Sequence, residues 1–246
     1  MTNIPEDKLA ELLSRLRKAA GDNLSSVILF GSAASDDFHP GISNLNILCL
    51  VRDSSFSALQ PLVPVAKWWA GQKQPPFLVM TRRELERSTD VFIIELLDMQ
   101  QHHRVLFGED VLRELEIPMQ LHRLQVEYEL REKLMLLRQN LILADNDSKL
   151  WDLLLGSSAS VLTLFRHTVL ALGDSAPYGN REAIAKLSER LGFEFAAVRQ
   201  LMDLREKQIE RRNVNVKDLF ARYVTELEKV VTSVDEILDS RPSPNV

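Results

Sequence analysis

One cysteine in 246 residues has nothing to pair with. Cys49 therefore excludes an internal disulfide framework and any Cys-rich zinc site, and its place inside the apolar run NILCLV makes it a small core residue. Positive charge is also short. A formal net charge of −5 and a pI near 5.6 give no electrostatic drive toward nucleic acid or an anionic membrane surface, so no nucleic-acid partner is expected. The opening MTNIPEDKLAELL has neither a basic leader nor an uninterrupted apolar stretch. The most hydrophobic later segment, WDLLLGSSASVLTLFRHTVLALG, carries Asp152, Arg166 and His167, too polar for a spanning run of about 20 apolar residues. The expectation is no membrane partner and a reducing compartment, most simply the cytoplasm. A fixed-period repeat and low-complexity tracts are missing as well. What remains, 45% hydrophobic and 26% charged residues, is enough for one large domain or two modest ones.

Strand and helix patterns alternate through about residue 110. Pro5 to Ala20 places Leu9, Leu12, Leu13 and Leu16 at helical spacing, with acids in the first turn, bases in the last and Gly21 just beyond. SSVILF, NLNILCLV and PPFLVMT read as buried strands. Between the last two, Pro61 and Pro64 make the first half of an otherwise helical segment irregular. Thr81 and Glu84 form a capping box for the short helix RRELERS. DVFIIELLDMQQHH fits strand and helix equally by periodicity, and RVLFGED reads as a strand followed by a turn. From Pro118 onward the pattern is helical, with four or five amphipathic segments joined by short polar loops. The expected fold class is α+β. A small mixed-sheet domain over residues 1–118 precedes a helical bundle over 119–240, a substrate-binding or dimerisation domain, and a polar tail at 241–246.

The chemistry concentrates in VILFGSAASDDFHPGISNLNILCLV. Gly31 and Ser32 directly after a buried strand allow a sharp turn that presents backbone amides, an arrangement favourable to phosphate. A dozen residues later Asn44 and Asn46 stand two apart on the next strand and so share a face. Apolar strand, Gly-Ser, small and polar residues, a Gly turn, then Ser followed by two alternating polar positions in an apolar run resembles the DNA polymerase beta-like nucleotidyltransferase superfamily. That group includes aminoglycoside nucleotidyltransferases and small MNT-type proteins. The stretch from Pro76 to Leu112, with its LFGED element, is similar to the second half of such domains, and the helical half is similar in kind to the bundles that follow them.

The resemblance implies a nucleotide partner, with Gly31, Ser32 and Ser43 at the nucleotide and positions 44 and 46 facing two magnesium ions. It implies transfer of a nucleoside monophosphate from a nucleoside triphosphate to a hydroxyl, with Mg2+ and the triphosphate as cofactors if the protein is active. This chain departs from the pattern where the chemistry is done. The family's metal-binding acids are replaced by Asn44 and Asn46, and an amide oxygen brings no charge to a hard divalent cation. Asp36 and Asp37 are adjacent loop residues whose side chains diverge. Glu95, with Asp98 behind it, is the candidate catalytic third acid if FIIELL is a strand, and a surface or capping residue if it is helical. Two readings follow: a nucleotide-binding or regulatory pseudoenzyme, favoured by the asparagines, and an active magnesium-dependent transferase. Trp68 and Trp69 read as core, while His102, His103 and His167 read as surface or turn residues. The Leu-rich helix EYELREKLMLLRQN suits a bundle helix or a homodimer contact, its Leu residues being core in either case.

Overall fold

The computed structural model describes residues 5–35, 43–175, 177 and 179–239. It divides into two compact units, Met1–Met119 and Gln120–Val246. The first is built on a four-stranded sheet and the second is helical, an α+β architecture.

Unit one begins with α1 (Glu6–Ala20), which buries Leu9, Leu12 and Leu16 and carries Glu6 and Asp7 at one end and Arg17 and Lys18 at the other, matching the helix dipole. Strands β1 (Leu24–Phe30), β2 (Asn46–Val51), β3 (Leu78–Thr81) and β4 (His103–Gly108) lie in the order β3-β2-β1-β4. β1 pairs antiparallel with β2 and β4, and β3 runs parallel to β2. Between β2 and β3 the prolines act as expected: α2 (Phe56–Leu59) gives way to a tight turn at Gln60–Leu62 before α3 (Val63–Gly71). Thr81 and Glu84 close a capping box at α4 (Arg82–Arg87), and α5 (Ile93–Gln101) leads into β4.

Side-chain alternation gives the sheet two cores. One face carries Val27, Leu29, Leu45, Ile47 and Cys49 against α1 and α3, with Trp69 fully buried and Trp68 packed beside it. Burial without a charge partner pushes the Cys49 thiol up to about 12, so it stays a neutral core group. The other face carries Ile28, Leu48 and Leu50 against Leu85, Leu96, Met99 and the segment from Val111 to Leu115. The second face ends in the polar residues that form the candidate site.

Unit two contains α6 (His122–Leu141), α7 (Asp147–Ala171), α8 (Asn180–Leu191), α9 (Ala196–Arg205) and α10 (Val216–Asp239). α7 packs against the other four helices of the unit, which accounts for its apolar character. Among the described residues it is the one helix long and apolar enough to cross a membrane, and half of that window is buried. The buried rings of His122 and His167 meet at 2.9 Å between Nε2 and Nδ1, against the surface or turn role expected of His167. Burial, then the neighbouring ring of His167, lowers His122 to about 4 and keeps it neutral, so one ring donates and the other accepts.

A buried carboxylate joins α9 to α10. No side chain of its own caps the start of α9; instead Glu226, 7% exposed on α10, accepts the N–H groups of Ala197 and Val198 at 2.8 and 2.9 Å. Glu226→Ala leaves two buried donors unmatched and should cost about 2–3 kcal/mol in chemical denaturation. Burial raises the Glu226 carboxyl above the ordinary glutamate value, against the pull of the two amides. The folded protein therefore takes up this proton at higher pH than the unfolded chain. The associated stability is full below the unfolded value and is lost as pH rises through the folded one. Glu226→Gln should flatten that slope; an unchanged pH dependence of stability would count against the assignment.

Candidate functional site

The turn after β1 starts at Gly31, whose φ of +77° belongs to the left-handed region that side-chain-bearing residues rarely enter. Its N–H donates to the His102 carbonyl at 2.9 Å, and Ser35 closes the turn with its N–H and Oγ on the Ser32 carbonyl. Ala33 is fully buried beneath this turn, while Ser32 stays half-buried. The next described residue is Ser43, also half-buried; Asp36 and Asp37 lie outside the described residues.

Leu45 anchors the approach to β2. Its side chain is 1% exposed in the α1–α3 core and its N–H bonds the Gln74 Oε1 at 2.8 Å. Asn46, the first residue of β2, points to the opposite face and is half-buried, whereas Asn44, expected on the same strand, lies before β2 begins and is exposed. A Cβ on Gly31 would lie 3.2 Å from the Asn46 side-chain nitrogen, so the amide sits directly against the turn. Gly31 and Asn46, which the sequence placed in one motif, are brought together.

Neighbouring strands decide what else can reach this point. Phe30 pairs with Asn46 on one side and His103 on the other, so all three share a face. On the far side of β2, Leu48 pairs with Leu78 and Leu50 with Met80, which puts Leu78 and Met80 on the Asn46 face. β3 carries no acid, and its first residue, Leu78, 44% exposed, lies on the Asn46 face level with Leu48.

Glu95 required a strand at FIIELL, and that condition is not met. The segment is α5, which buries Ile93, Ile94, Leu96 and Met99, and Glu95 is an exposed residue of its first turn. The apolar positions serve an inward helix face, which is why a short run fitted both patterns. His103, expected at a surface or turn, is 14% exposed and clamped: Nε2 lies 2.8 Å from the Asp110 Oδ1 and Nδ1 lies 3.1 Å from the Gln100 carbonyl.

Among the described residues the donor set does not suit magnesium. Asn44 and Asn46 offer amide oxygens without charge, β3 supplies no carboxylate, and no three of the described His, Cys, Asp and Glu residues are grouped to hold a metal.

No family model and no curated protein matches the chain. Among solved structures it is similar to a spectinomycin adenyltransferase from Enterococcus faecialis, determined with ATP and spectinomycin. The TM-score is 0.55 at 17% identity, over 91% of this chain and 99% of that one. The fold is nucleotidyltransferase-like. At this identity the likeness is one of fold, and it extends over both the sheet-based and the helical parts of the chain.

Proposed function

We propose that this protein is a nucleotide-binding or regulatory pseudoenzyme on a nucleotidyltransferase-like scaffold, with metal-dependent nucleotidyl transfer lost. One observation carries the reading: the amide of Asn46 sits against the Gly31 turn, and the resemblance makes position 46 one of the two that would bear metal-binding acids. The absence of any acid on β3 supports it. In this reading Gly31, Ser32 and Ser43 contact the phosphates of a nucleotide, and the backbone turn rather than a metal provides what attraction the site has. Positions 44 and 46 then offer hydrogen bonds without charge. The opposed reading, magnesium-dependent transfer from a nucleoside triphosphate to a hydroxyl of a small molecule or protein, draws on the fold likeness.

Calorimetric titration separates the two. ATP should bind with the same affinity with and without Mg2+, or not at all. A gain of about tenfold or more on adding Mg2+, equivalent to about 1.4 kcal/mol, would sink the pseudoenzyme reading.

A further inference from the structure

Arg205, the last residue of α9, is a half-buried cation without an anion. Its Nη1 donates to the Ser158 Oγ on α7 at 2.5 Å, and it makes no ion pair among the described residues. The acids beside it in the chain are committed elsewhere. Asp203 and Glu206 both grip Arg181, at 2.7 and 2.6 Å, and Glu210 is paired with Arg212. Burial holds the Arg205 guanidinium below the ordinary arginine value, and the group that acts on its charge in the other direction is the Tyr223 hydroxyl, not a carboxylate. A charge drawn partly out of water without a counter-charge costs stability.

The hydroxyls around Arg205 position it and do not neutralise it. Ser158, 1% exposed, spends its proton on the Leu155 carbonyl at 2.8 Å, so its oxygen is left to accept from the guanidinium. Tyr223, equally buried, bonds the neighbouring Ser157 hydroxyl at 3.1 Å. Holding Nη1 leaves Nε and Nη2, an edge of the guanidinium that meets a carboxylate or phosphate through two parallel hydrogen bonds. Neither nitrogen is a buried orphan, so this edge reaches solvent. A second cation stands along the same face of α7. Trp151, two turns before Ser158, lies under the Arg211 guanidinium at 5.7 Å, and Arg211 also makes no ion pair among the described residues.

We propose that Arg205 anchors an anion site within the helical unit, where a small organic molecule sets a carboxylate or phosphate group on the Nε–Nη2 edge. Arg211 adds positive potential at the Trp151 end. The site uses none of Gly31, Ser32 and Ser43, so it does not rest on the nucleotide reading.

Calorimetric titration of the full chain with benzoate, phenyl phosphate and inorganic phosphate, each at the same ionic strength in chloride, tests it. At least one should bind with a dissociation constant of about 1 mM or tighter, and their order separates a carboxylate from a phosphate ester and from free phosphate. Arg205→Met should weaken that binding at least about tenfold, and Arg205→Lys, which keeps the charge but loses the two-bond edge, about threefold. Arg212→Gln, in an exposed pair with Glu210, should leave it unchanged. Stability gives an independent readout. Without ligand, Arg205→Met should melt no lower than the parent, because an apolar side chain of similar length removes an uncompensated charge. Failure of all three probes to bind, or binding indifferent to Arg205→Met and Arg205→Lys, would overturn the proposal. A melting temperature for Arg205→Met well below the parent would make Arg205 a clamp between α7 and α9, and would overturn it equally.

Discussion

The combined variant Asn44→Asp, Asn46→Asp, Leu78→Glu should bind Mg2+ on the order of 100-fold more tightly than the parent chain, because affinity for a hard divalent ion is set by carboxylate number and rigidity. The geometry for this gain is already present. Asn46 opens β2 with Asn44 two residues before it, and the parallel register that pairs Leu48 with Leu78 brings position 78 to the Asn46 face on the next strand. Each conversion of Asn to Asp keeps the side-chain shape and adds a charge. Leu78 is partly exposed, so glutamate there buries no charge in the core. The Asp pair alone should recover only part of the effect, since two carboxylates from one segment leave the far side of the ion open. Without metal the three carboxylates repel, which gives a second readout. At a Mg2+ concentration 100 times the dissociation constant, binding to the folded state adds about 2.7 kcal/mol, visible as a rise in melting temperature on adding Mg2+. A triple variant with unchanged circular dichroism and no Mg2+ response would show that the site is misplaced. Recovery of metal binding without nucleotidyl transfer would leave the proposed loss of function standing.

Much of this site was legible in the sequence because it is local. Gly31 next to Ser32 specifies a turn, and the apolar run from Ile47 makes Asn46 the start of a strand, although the strand does not reach back to Asn44. The two marked ends of α1 and the Thr81–Glu84 capping box are local in the same sense, and both form as read. What was not legible depends on register between strands. Which residues of PPFLVMT share the Asn46 face follows from the pairing of Leu48 with Leu78, and no composition rule supplies it. His103 and Asp110 lie across a turn, and His122 and His167 come from different helices, so neither pair has a spacing that announces it. α5 illustrates a different limit: its run of apolar residues was compatible with a strand until the inward helix face was known. α6 shows a third. Its Leu-rich pattern was read wholly as core, and the structure splits it, burying Leu130 and Leu137 while exposing Tyr128, Met135 and Leu136. Amphipathic periodicity identifies a helix, and two overlapping apolar periods on one helix reveal a second surface only when burial separates them.

Gly108, in the LFGED element, is the position where a single methyl group should do most harm. β4 ends there, with Ser26 as its pairing partner on β1 and a φ of +80°. A Cβ at this point would lie 2.1 Å from the Ser25 carbonyl oxygen and 2.9 Å from the Ser26 Cα, both backbone atoms. Neither can swing aside as a flexible side chain would. The same approach lets the Ser26 hydroxyl, buried on β1, reach the carbonyls of Phe107 and Glu109 at 3.0 and 2.8 Å on either side of the glycine. Gly108→Ala thus has two costs that act together. The left-handed backbone conformation costs an alanine about 1–2 kcal/mol. Relieving the contact means opening the β1–β4 pairing and stretching the Ser26 bonds, which should bring the total to about 3–4 kcal/mol. Gly192, which ends α8 at φ +69° with nothing near a prospective Cβ, is the control. Gly192→Ala meets only the conformational term, about 1 kcal/mol. Equilibrium urea denaturation of the two variants should therefore differ by about 2 kcal/mol or more. Equal losses would mean that β4 can draw back from Ser25 at little cost, and that the glycine of LFGED is required by its backbone conformation alone.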